Sequence, residues 1–424
     1  GAGRAGLRFE RSEQDARLPG SLTEAQFLDN PRQTVTPDDF GTLDTDRIAA
    51  FVEHRIGGLE LAAELSRRER EVRANYVFSS GLTRVAYDAS QTQLSPRLRH
   101  TADLGGKRNE LVAGIDLVRW DRQTEADFSR GDAAQDAQAV YLRNEVLWNA
   151  PHNARLAIGG RHERFTKDYS DPLAFPPVVG EHRRQSINAW SLEGSFDPMP
   201  QLTVFAKAGR SYRLANVDEN SLRPGPDVLA PQTSRDLELG ATLGGAGRQL
   251  TARLFRHRLQ DEIFYDPTIG WGANSNLDPT RRQGLELDGE LALGRDLRLS
   301  AKWQRVNAEF TDGPNAGREI VLVPENVVTL RAAWTPASGH SADLGAQWVD
   351  SQRYGDDFTN SCGARIPAYT TIDARYAYRV KGWEAAVSAL NLADRQYYSN
   401  AFGCRSGIYP SDGRQLKLSL RYDF

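Results

Sequence analysis

Apolar and polar residues alternate along most of this chain, and the alternation is clearest at its end. In QLKLSLRYDF (415–424), Leu416, Leu418, Leu420, Tyr422 and Phe424 fall on one side of an extended strand, and Gln415, Lys417, Ser419, Arg421 and Asp423 on the other. The same period recurs upstream. Leu285, Leu287, Leu291 and Leu293 oppose Glu286, Asp288 and Glu290, and Leu297, Leu299, Ala301 and Trp303 oppose Arg298, Ser300, Lys302 and Gln304. Val328, Leu330, Ala332 and Trp334 oppose Thr329, Arg331 and Thr335, and Ala342, Leu344, Ala346 and Trp348 oppose Asp343 and Gln347. A soluble sandwich produces such alternation too. Rings near the strand ends, at Trp334, Tyr378, Trp383, Tyr422 and Phe424, favour strands anchored at a membrane interface.

The punctuation between runs has its own rhythm. Tight turns are predicted after Gly57-Gly58, Gly105-Gly106, Ala150-Pro151, Pro198 to Pro200, Gly244 to Gly247, Gly294-Arg295, Pro336 to Gly339 and Lys381-Gly382. Longer polar connections lie between them: Gln14 to Thr42, Gln123 to Gln135, Lys167 to His182, Tyr212 to Pro231, Asp266 to Thr280, Thr311 to Leu322, Tyr354 to Pro367 and Tyr398 to Gly413. Short turns at one end and long loops at the other are the signature of an outer-membrane barrel. Each tight turn joins two strands, and with the opening and closing runs the total is about 18. The expected fold is all-β, a transmembrane antiparallel β-barrel. In the first long connection, Ser21 and Glu24 are spaced as a capping box opening a short helix. The opening GAGRAG matches a dinucleotide fingerprint in letters only, because no strand precedes it; it is read as a turn.

Composition narrows the reading. The chain has 424 residues, a net charge of −3 and 26% charged residues, and its mean hydropathy is −0.56. No run approaches the roughly 18 apolar residues of a spanning helix, and the charge gives no reason to invoke nucleic acid. Two cysteines are too few for a disulfide scaffold or a four-thiolate zinc site. The seven histidines show no metal-ligand spacing, and Gly339-His340-Ser341-Ala342-Asp343 is not a nucleophile elbow, so no metal site, cofactor or catalysis is expected.

Several stretches in order resemble the TonB-dependent outer-membrane receptors, plugged barrels of roughly 22 strands. They are FAKAGRSYRLANVDEN (205–220), PQTSRDLELG (231–240), LFRHRLQDEIFYD (254–266), NSNLDPTRRQGLELD (274–288), VPENVVTLRAAW (323–334) and IPAYTTIDARYAYRVKGWEAAVSALNLADRQYY (366–398). The last holds Asn391-Leu392 and Asp394 where the family has its N-L-x-D run, and the terminal strand follows. The resemblance implies residence in the outer membrane of a Gram-negative bacterium and energy-coupled uptake of a ferric siderophore or a similarly scarce ligand. Cobalamin or haem are lesser options, the haem signature being absent from PGPDVLAPQTS (224–234). The implied partners are a metal chelate or other small molecule, outer-membrane lipid, the barrel-assembly machinery through Phe424, and an energy-coupling protein through a plug segment. No plug or coupling segment is found within 1–424, which reads as a barrel lacking its plug and about four strands.

Under the resemblance, Cys362 and Cys404 sit in the last two extracellular loops, where an oxidising compartment favours their pairing. Arg281 and Arg282 are expected to face the cavity and meet an anionic chelate, and Tyr265, Trp271, Tyr354, Tyr398 and Tyr409 to form an aromatic platform at the rim. Two rivals come from other classes: a passive diffusion porin, and a soluble all-β enzyme or lectin.

Overall fold

The computed structural model describes the chain except residues 1–2, 79–80, 150–151, 175–176, 217–218, 220–227, 270–271 and 424. Trp271 and Phe424 therefore lie outside the described residues. The elements in chain order are β1 (Gly3–Arg17), α1 (Glu24–Asp29), β2 (Phe40–Ile56), β3 (Leu59–Phe78), β4 (Gly81–Asp103), β5 (Lys107–Ala126), β6 (Ser129–Trp148), β7 (Ala154–Asp171), β8 (Val178–Met199), β9 (Leu202–Arg213), β10 (Gln232–Gly245), β11 (Arg248–Gln260), β12 (Glu262–Asp266), β13 (Ala273–Leu277), β14 (Thr280–Leu293), β15 (Leu297–Phe310), β16 (Asn326–Trp334), β17 (His340–Val349), β18 (Tyr369–Val380), β19 (Trp383–Leu390), β20 (Asn400–Ala401), β21 (Ile408–Tyr409) and β22 (Gln415–Tyr422).

Eighteen of these strands form one antiparallel sheet, each paired to its neighbour in the chain; β12–β13 and β20–β21 are small separate hairpins within loops. The edges are β1 and β22. The sheet curls until the connection after β1 meets the one before β22: Leu22 and Ile408 exchange backbone hydrogen bonds of 2.8 and 2.9 Å, and Glu24 N donates to Arg405 O at 2.9 Å. Seven of the eight tight turns fall where the glycine and proline punctuation puts them, all at one end of the sheet; the eighth, Ala150-Pro151, lies outside the described residues. Lys381-Gly382 shows why: both residues have positive φ, 46° and 83°, a conformation that glycine adopts without strain.

Register turns the alternation into a continuous apolar outer band. Val204, Ala241, Ala252, Leu287, Trp303, Val328 and Trp348 are successive cross-strand partners from β9 to β17. On the last pair, Ala389, Val387, Ala385 and Trp383 face Leu416, Leu418, Leu420 and Tyr422. The large side chains of the last strand stand free of protein, Leu418 at 83% and Leu416 at 73% exposed, as an outer surface meant for hydrocarbon requires. The opposite face is polar and ion-paired, with Lys302 on Asp288 (2.8 Å) and Arg331 on Asp343 (2.8 Å). Aromatics collect at the short-turn end. The His340 ring lies 4.6 Å from Tyr378 and 6.4 Å from Trp334, and Trp383 lies 4.7 Å from Tyr422.

Four local expectations are corrected. GAGRAG is not a turn, since β1 begins at Gly3 and pairs Gly3 with His54; a Cβ on Gly6 would come 2.7 Å from the Phe51 ring, so glycine admits that ring. The helix cap is Thr23, whose hydroxyl accepts from Gln26 N while the Gln26 side chain accepts from Thr23 N, two residues beyond the expected Ser21. The stretches 123–135 and 167–182 are not long loops but mostly the upper parts of β5 to β8. There the outer face turns from oily to charged. Phe9 and Ile48 give way to Arg11 and Asp46, Leu65 to Arg67, and Leu117 to Arg119, so both faces meet water and the alternation fades.

A loop cap over a charged wall

At the long-loop end, three connections fold on one another. The first carries α1, whose capping box orients Phe27 inward, edge-on to Tyr398 with centroids 5.0 Å apart. Leu22, Phe27, Tyr354, Ile366, Tyr398, Ala401 and Ile408 form one buried cluster drawn from residues 18–39, 350–368 and 391–414. Cys362 and Cys404 are joined in a disulfide that fastens the second of these connections to the third, with Cα atoms 5.7 Å apart. Asn391, the first residue of the N-L-x-D run, is buried; its amide donates to Arg395 O (2.9 Å) and Asp412 O (3.2 Å), tying both ends of its own loop. A second cluster of Phe310, Ile320, Val321 and Phe358 extends the cap, and Phe264 of β12 meets Phe358 edge-on at 5.7 Å.

A polar clamp covers this second cluster. Glu319 takes Arg365 at 2.7 Å and Arg353 at 3.3 Å, while Asn360 accepts from Glu319 N at 2.7 Å. Burial by itself would raise the Glu319 carboxyl, but the two guanidiniums outweigh it and hold the group below its ordinary 4.5. A depressed folded-state value means the clamp contributes in full above about pH 4.5 and is lost as pH falls through the folded value. Intrinsic-rate-corrected hydrogen-exchange protection of residues 311–325 and 353–365 should therefore drop in acid below that pH. The E319Q variant should show the lower protection already at neutral pH, with no acid-dependent step; an equal step in E319Q would refute the assignment.

Away from the cap, the wall of β5 to β9 carries partly buried charge on its inner face. Arg161 reaches Asp116 at 2.5 Å and Glu163 at 3.0 Å, and its Nε donates to the Tyr212 hydroxyl at 2.9 Å. Arg155 bridges Glu145 (2.9 Å) and Glu193 (3.1 Å). Such networks fix the wall in one arrangement and give it local spots of both signs.

The structure sorts the expected ligand contacts. Tyr265 and Tyr409 remain on the surface, 41% and 49% exposed. Tyr354 and Tyr398 are 0% and 4% exposed with hydroxyls 3.2 Å apart, so they are packing groups of the cap and not a platform. Burial and the Tyr354 hydroxyl push the Tyr398 phenol up. Arg282 is on the inner face but committed, its Nη1 and Nη2 donating to both Glu262 oxygens at 3.0 and 2.7 Å. Arg281 shares the outer face with Leu285 and Leu287 and is paired with Glu309, so it does not enter the cavity. The inner-wall group around Arg161 was missed by sequence reading; Asp116, Arg161 and Glu163 lie on alternate positions of their strands, but only the register brings them together.

Residues 2–392 match the family described as TonB dependent receptor-like, beta-barrel. The chain is similar to the metal-pseudopaline receptor CntO of Pseudomonas aeruginosa, 26% identical over 320 residues covering 71% of this chain and 43% of the receptor. It is also similar to the ferrioxamine receptor of Yersinia enterocolitica, 26% identical over 306 residues covering 68% of this chain and 40% of that one. The chain thus spans less than half the length of these relatives. Among solved structures it superimposes on the unliganded ferric citrate transporter FecA with a TM-score of 0.82 at 17% identity, covering 100% of this chain and 68% of FecA.

Proposed function

The chain belongs to the TonB-dependent receptor-like β-barrel family, an outer-membrane family of Gram-negative bacteria, and from that premise we propose that it serves energy-coupled uptake of a ferric siderophore or a similar metal chelate. The observation that carries the reading is the stapled cap. Three connections share one aromatic core and two of them are joined by a disulfide, which is how a surface is held ready for a scarce solute. Relatives described as receptors for metal-pseudopaline and ferrioxamine support a metal chelate as ligand. Capture at the cap is followed by passage along the inner wall, with energy delivered through a plug segment; no bond in the ligand is made or broken. Tyr265 and Tyr409, which are exposed, are the proposed aromatic contacts of the ligand, with Trp271 as a third.

Uptake of radioactive iron by cells under iron limitation, tested over hydroxamate, catecholate and carboxylate siderophores, addresses the reading directly. One class should be taken up only when this protein is produced, and a protonophore should abolish that uptake. Passage of small sugars into liposomes containing the protein, with no protonophore-sensitive iron uptake, would establish a diffusion porin instead.

A further inference from the structure

Where the apolar band ends on β9 to β14, the outer face carries a row of arginines. Arg210 of β9 is the cross-strand partner of Arg235, Arg235 of Arg258, and Arg258 of Arg281. All four lie on the outward alternation set by Ala208, Leu237, Leu254 and Leu285. Neighbouring strands are about 4.8 Å apart, so four guanidiniums arise within roughly 15 Å along the wall. Arg256 stands one step nearer the apolar band, opposite Leu237.

Like charges directly opposite one another destabilise a sheet, and four in succession compound the effect. Elsewhere on the outer face the problem is solved locally: Arg67 has Glu69 at 2.8 Å and Arg119 has Asp121 at 3.1 Å. Here only the far end is answered, Arg281 by Glu309. Among the described residues, the side chains of Arg210, Arg235, Arg256 and Arg258 have no hydrogen bond or ion pair, and the Nε atoms of Arg256 and Arg281 are buried without an acceptor. Trp190, the outward partner of Arg210, marks the level of a membrane interface. The row is continuous with the hydrocarbon-facing band below it, which puts it at the level where bilayer headgroups lie.

We propose that Arg210, Arg235, Arg258 and Arg281, with Arg256, form a docking site for the phosphate groups of an outer-leaflet lipid whose acyl chains lie on the band beneath. Guanidinium forks grip phosphate oxygens in pairs, which suits a diphosphorylated headgroup spanning adjacent arginines. The site is independent of which solute the protein carries.

The test uses the purified protein in neutral detergent with diphosphorylated lipid A as the probe and phosphatidylcholine as its control, bound lipid being counted by mass spectrometry. Wild type should retain lipid A and be heat-stabilised by it. R235Q and R258Q should each weaken retention by at least about tenfold. Both variants relieve like-charge crowding, so without lipid they should unfold no earlier than wild type. R331Q, on the inner face, should retain lipid A normally. Equal retention by wild type and the R235Q/R258Q double variant would overturn the proposal. So would equal stabilisation of wild type by inorganic phosphate alone, which would make the row a soluble-anion site.

Discussion

Replacing Tyr354 with alanine is expected to cost the loop cap about 3–5 kcal/mol, the range for removing a fully buried aromatic ring. The ring is at 0% exposure among Leu22, Ile366, Ala401 and Ile408, so no water refills the space at low cost, and the Tyr398 hydroxyl loses its partner. Hydrogen-exchange protection should fall by two to three orders of magnitude, in order-of-magnitude terms, across residues 18–39 and 391–414. The β-ladders below should keep theirs, because the cap is a separate cluster and not part of the sheet. Y354F, losing only the hydroxyl, should cost about 1 kcal/mol. Unchanged protection in Y354A would show that the cap is not held by this core.

Breaking the Cys362–Cys404 bond, by the C362A/C404A double variant, should destabilise the same cap by about 4 kcal/mol on the chain-entropy account for a loop of this size. The bond closes 42 residues. Trypsin reports the effect at two places. Arg405 pairs with Glu24 at 2.6 Å and Arg365 with Glu319, and both should become rapid cleavage sites once the staple is gone. Equal cleavage rates in the double variant and the parent would remove the bond's assigned role. The two perturbations act on one cluster, so Y354A combined with C362A/C404A should cost less than the sum.

The strand count and the short turns were legible because their causes are local. Gly57-Gly58, Gly105-Gly106 and Lys381-Gly382 punctuate runs whose outer residues meet lipid, and lipid enforces a strict period of two. The stretch QTEADFSRGDAAQ (123–135) was read as a loop because above the bilayer both faces are wet; β5 and β6 persist there through their ladder alone, from Gln123↔Asp132 to Ala126↔Ser129. Loop aromatics were legible as rim residues but not as buried or exposed ones: Tyr354, beside Arg353, is buried, and Tyr409, between Ile408 and Pro410, is exposed, the reverse of what their sequence neighbours suggest. The arginine row was invisible for a different reason. Arg210, Arg235, Arg258 and Arg281 are each unremarkable on their own strands, and only three successive registers line them up.

The strands are also unequal in height. β4 has 23 residues and β8 has 22, whereas β19 and β22 have 8 each, and a tilted strand needs only about 9–11 residues to cross hydrocarbon. At about 3.3 Å per residue β4 is roughly 75 Å long, so around half of it rises clear of the bilayer as a parapet on one flank. Around β19 and β22 the sheet ends low, and it is there that the stapled loops lie. The geometry of the rim therefore gives the protein a front and a back.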